Sequence, residues 1–113
     1  MSIIVGIYYK NENQKPITMP VAAAGTFVKF WETPSKELSL KLIPAIFTGL
    51  WIDDVGKAIE LCAELNILKQ FHQKVETNRD SNQIRDVLFR IDKLTELITN
   101  AVEHWEKIDC IDF

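Results

Sequence analysis

From Ile84 onward, apolar residues recur at helical spacing through Val87, Leu88, Ile91, Leu94, Ile98, Ala101, Val102, Trp105 and Ile108. This unbroken stripe predicts one amphipathic helix over about 82–107, with a face that must be buried against another layer. Asp86 with Arg90, and Glu103 with Lys107, stand four residues apart where they would pair along the outside of that helix. A second helix is expected over 54–74, where Val55, Ala58, Ile59, Cys62, Leu65 and Leu68 follow the same period. Asp53 precedes it as N-cap, and Asp80 with Gln83 forms a variant capping box before the last helix.

The front of the chain follows different rules. Residues 3–9, IIVGIYY, are β-branched and aromatic and read as a strand. Asn11 and Asn13 mark a turn, and Pro16 to Met19 returns as a short second strand. Residues 21–31 carry both signals: Val21, Ala24, Val28 and Trp31 keep helical spacing with Pro20 in the first turn, whereas 26–31 has high β propensity. The spacing favours helix. Thr33-Pro34 then starts or kinks a second segment through Leu38. Leu40 to Phe47 reads as a strand, at an edge or bulge because Pro44 has no N–H for a ladder. Gly49 makes a turn before Leu50-Trp51-Ile52. The expected architecture is a single α+β domain over 1–113, a two- or three-stranded sheet packed against three or four helices, the last of them long.

A chain of 113 residues, 47% hydrophobic and 26% charged, can bury such a core without staples. Cys62 and Cys110 lie far apart and outline neither a disulfide framework nor a zinc site. No basic leader precedes the apolar run at Ile3, and no apolar stretch approaches the roughly 20 residues of a membrane span. The last four residues, CIDF, superficially fit a prenylation box, but Asp112 occupies an aliphatic position. These features give a cytoplasmic expectation.

Charge is unevenly divided. Residues 1–52 hold five lysines against Glu12, Glu32 and Glu37, a balance of +2. Residues 53–113 hold five lysines and three arginines against thirteen acids, a balance of −5. That half is poorly suited to phosphate backbones and better suited to a basic protein partner.

The chemistry-bearing residues do not assemble into a known motif. His72 and His104 have no second His or Cys at a ligand interval on their own helix, so a structural role is expected for both, and no metal or cofactor. Cys62 falls on an apolar helix face as a small hydrophobe. Glu60 and Glu64 share a helix side, but acid–base work would need one of them desolvated in a cleft. Gly6, Gly25, Gly49 and Gly56 form no phosphate loop.

Two features suit a binding surface. Trp51 stands in a short connection beside Asp53 and Asp54; it either plugs a sheet–helix junction or anchors a partner. Glu103, Glu106, Asp109 and Asp112 recur every three residues and would form an acidic ridge if the helix continued, or a plain solvated face.

Pro20-Val21-Ala22, Phe30-Trp31, Glu37-Leu38, the run Leu40-Lys41-Leu42-Ile43-Pro44, Gly49, and then Ala63-Glu64-Leu65 on a helix form a layout over 20–70. It resembles small bacterial immunity-type proteins encoded beside contact-dependent or polymorphic toxins. The resemblance implies a non-catalytic inhibitor of a cognate toxin domain, often a nuclease whose basic cleft an acidic surface can occupy. Trp51 would be the anchor, and Asp53, Asp54, Glu103, Glu106, Asp109 and Asp112 the electrostatic partners. Two alternatives stand beside it: an adaptor that self-associates through the helix at 82–107, and an enzyme with a site built from His72, His104 or paired carboxylates.

Overall fold

The structure, a computed structural model, describes residues 2–75 and 81–113. Strand β1 (Ser2–Tyr9) turns at Asn11, whose side chain accepts from the Asn13 N–H at 3.0 Å, and returns as β2 (Ile17–Ala23). The chain then winds through α1 (Ala24–Phe27), one π turn (Val28–Glu32) and α2 (Thr33–Glu37). After α3 (Leu42–Ile46) comes the two-residue β3 (Trp51–Ile52). The long helices α4 (Val55–Val75) and α5 (Ser81–Glu103) follow, and a 3₁₀ turn (Trp105–Lys107) leads into β4 (Ile108–Asp112).

The four strands form one antiparallel sheet in the order β2-β1-β4-β3, so the first and last strands of the chain pair at its centre. The architecture is α+β, as the sequence predicts, but the sheet has four strands rather than two or three, because 108–112 leaves the helical stripe and pairs with β1. Ile7 faces Ile111, and Ile52 faces the same Ile111 from the other side. With Val5 and Ile108 these residues make the inner face of the sheet, buried under Leu61, Leu65 and Leu68 of α4 and Ile91, Leu94 and Ile98 of α5. Each such burial is worth roughly 1.5–3 kcal/mol.

Several expectations fail, each for a local reason. Residues 40–47 are not a strand: 42–46 is helical, and its first turn is capped from a distance. Glu64, buried on α4, accepts from the N–H groups of Lys41, Leu42 and Ile43 at 3.0–3.3 Å. The next residue, Pro44, has no N–H, so the orphan donors of this helix start are accounted for. Residues 21–23 extend β2 rather than open a helix, and Pro20 sits in an edge strand where its missing N–H is tolerated. Asp54, not Asp53, caps α4 through its Oδ2 and the Lys57 N–H at 3.2 Å.

On α4 the buried face runs through Ala58, Leu61, Leu65 and Leu68, leaving Ile59 half exposed and Cys62 at its margin. The last helix stops at Glu103 instead of reaching 107. Ile108, which continues the helical spacing, is buried as the first residue of β4. Lys107 therefore lies beyond the helix, out of i,i+4 register with Glu103. Among the described residues neither that pair nor Asp86–Arg90 forms an ion pair; Lys69 and Asp92 join α4 to α5 instead, at 2.8 Å. Asp80, the expected cap of α5, lies outside the described residues.

Candidate binding surface

Among the described residues the helices cover one side of the sheet and leave the other open, and strand alternation decides which residues stand there. In β1 the buried Ile3, Val5 and Ile7 put Ile4, Gly6 and Tyr8 outward. Cross-strand register then adds Pro20 opposite Ile4, Thr18 and Asp112 opposite Gly6, and Cys110 opposite Tyr8. Trp51 pairs with Asp112 at the β3 edge. Ile52, its neighbour, is fully buried, so Trp51 must face outward; it is 54% exposed. Ile4 is 52% exposed on the same face.

Gly6 has a specific reason to be glycine. A Cβ there would lie 2.8 Å from Cε2 of Tyr8, so the Tyr8 ring lies across the gap that Gly6 leaves. Two aromatics thus lie on the open face on either side of Asp112. Cys110 is buried among them. Its thiol is pushed up from the ordinary 9.0 first by burial, then by the charges of Asp109, Asp112 and Asp53. Asp109 and Asp112 belong to the same strand as Cys110, and Asp53 directly follows β3, the strand paired with it. Lys57 stands at the rim, where its Nζ donates to the Trp51 carbonyl at 3.3 Å.

The structure therefore brings together Trp51, Asp53, Asp109 and Asp112, and Trp51 does not plug a junction. Asp54 is adjacent but holds the helix cap. The acidic ridge expected from Glu103, Glu106, Asp109 and Asp112 does not form. The first ends α5, the second lies in the 3₁₀ turn, and the last two belong to β4. Helical spacing has no meaning across three different backbone conformations. Ile4 and Tyr8 were missed as surface residues, although the alternation within IIVGIYY places them opposite Ile3, Val5 and Ile7.

The catalytic candidates disperse. Glu60 is exposed, while Glu64 is consumed by the cap of α3. His72 has no exposed surface, and its Nε2 lies 2.6 Å from the Phe30 carbonyl. A carbonyl only accepts, so Nε2 carries the proton in this contact. The ring pins the π turn from below. His104 lies on the surface with Tyr9, Gln14, Asn100 and Lys107 around a concavity of about 220 Å³. Cys62 packs beside Thr99, 3.8 Å from its hydroxyl; burial raises its thiol pKa and the hydroxyl contact partly offsets this. Among the described residues no three His, Cys, Asp or Glu side chains are grouped to hold a metal, and no helix is long and apolar enough to cross a membrane.

This geometry defines an α+β sheet domain with one helix-covered face and one open, aromatic and acidic face. A scan against protein-family models, a search of curated proteins and a search of solved structures each returned no match.

Proposed function

We propose that this chain is a non-catalytic protein-binding domain of the cytoplasm that uses its open sheet face to neutralise a basic partner. The observation that carries this reading is Trp51, more than half exposed beside Asp112 on a face no helix covers. Large exposed aromatics on rigid elements are favoured interface anchors, and surrounding acids steer a cationic partner into register. The immunity-type resemblance over 20–70 supplies the class of partner: a cognate bacterial toxin domain, with a nuclease's basic cleft as the matching surface. Asp53, Asp109 and Asp112 would stand where that cleft otherwise meets phosphates.

The test is co-expression with a basic toxin domain of the proposed class, taken from a reading frame that flanks this gene. Wild type restores growth, and the double reversal Asp53→Lys/Asp112→Lys does not. Growth restored equally by that variant removes the acidic face from the reading.

A second reading rests on a different observation. Ile59 and Ile67 of α4 and Phe89 of α5 are 53%, 42% and 54% exposed. Such residues suit self-association of an adaptor. Light scattering decides: a tight homodimer that Ile59→Lys/Ile67→Lys dissolves favours this view, and a monomer eliminates it.

A further inference from the structure

A pocket of about 280 Å³ opens between β2 and the first half of α5, away from the open sheet face. Its volume falls just below the ~300–1,000 Å³ of pockets for drug-sized ligands, which suits something smaller. Three polar groups lie along it: one fully buried, one half-buried and one exposed. The indole of Trp31, which forms part of the wall, is completely buried and its Nε1–H has no acceptor among the described residues. An unmet buried donor of this kind costs about 1–3 kcal/mol. Arg90, also on the wall, has no ion pair among the described residues. The same is true of Asp86, one helical turn earlier on the same wall, although helical spacing would let the two pair. The aliphatic Val21, Ala22 and Val87 share the lining with the hydroxyl residues Ser2 and Thr26.

We propose that this pocket binds a small aliphatic α-amino acid in its zwitterionic form. The carboxylate pairs with the Arg90 guanidinium and accepts the Trp31 indole N–H. The ammonium faces Asp86, and the short side chain packs on Val21, Ala22 and Val87. A half-buried cation and an exposed anion, one helical turn apart on one pocket wall, complement a ligand that carries both charges, whereas a simple carboxylate would leave Asp86 opposed to it. Because Trp31 presents no surface to water, the acceptor reaches its N–H as the lining shifts slightly to seat the ligand. Trp31 belongs to the π turn, and such turns recur at functional sites.

The experiment is titration of the ¹⁵N-labelled chain with L-valine, read at the three tryptophan indole signals. Trp51→Phe and Trp105→Phe assign those signals without touching Trp31. Valine shifts the Trp31 signal saturably and leaves the other two in place. Isobutyrate, which lacks the ammonium, binds at least about tenfold more weakly, as valine does to Arg90→Gln, the scale of one charge-assisted hydrogen bond. Both Arg90→Gln and Asp86→Asn change helix-surface positions and keep the remaining spectrum. No saturable shift, a shift shared by all three indoles, or undiminished binding to Arg90→Gln overturns the site. Equal binding of isobutyrate and valine overturns the amino-acid assignment.

Discussion

The carboxylate of Glu64 on α4 accepts a bifurcated hydrogen bond from the backbone N–H of Leu42, its two oxygens at 3.0 and 3.1 Å, across 22 residues of sequence. One side chain from a long helix thereby creates the start of a short one. Five residues cannot nucleate a helix by themselves. Glu64→Ala should cost about 2–3 kcal/mol, since it leaves buried N–H groups unmet, and Glu64→Gln should cost less because one acceptor oxygen remains. Urea denaturation checks this as a lower midpoint with an unchanged slope.

His72 secures the other side of the same helical layer through its 2.6 Å contact with the Phe30 carbonyl. Replacing it by Leu removes the donor and should cost about 1–3 kcal/mol. Partner binding by His72→Leu, measured below its unfolding temperature, should match wild type. Loss of binding or of any activity without loss of fold would revive a functional role for this histidine.

Both thiols have pKa values raised by burial above the ordinary 9.0. A raised folded pKa means that the native state favours the protonated thiol. Its stabilising contribution is complete below about pH 9 and is lost as pH rises from 9.0 through the higher folded value. Alkaline unfolding should therefore steepen above that pH, and Cys62→Ala/Cys110→Ala should flatten the profile. Alkylation of native Cys110 near neutral pH should be slower than in the unfolded chain, because little thiolate is present.

The two long helices were legible because their stripes extend over many turns, and β1 because its residues are β-branched and aromatic. What failed shares a cause. Leu40 to Phe47 is a short apolar run, and nothing within it distinguishes a strand from a buried helical turn. The deciding group, Glu64, lies on another element. Likewise Trp105 and Ile108 continue the spacing of α5, and only pairing with β1, a hundred residues earlier by order of magnitude, turns Ile108–Asp112 into a strand. Trp51 could be singled out from its residue type and its place beside two aspartates. Its orientation could not, because that depends on β4, the strand the helical stripe concealed. For the same reason Asp112 was right as a surface acid and wrong as part of a helical ridge.

The central claim is that the open sheet face binds through Trp51. Calorimetric titration of wild type and Trp51→Ala against the proposed partner, a basic toxin domain, tests it most directly. Truncation of a hot-spot anchor costs about 2 kcal/mol or more, so the dissociation constant should rise by roughly thirtyfold while the melting temperature, set by a side chain already half in water, stays in place. Equal affinities for the two proteins would contradict the account.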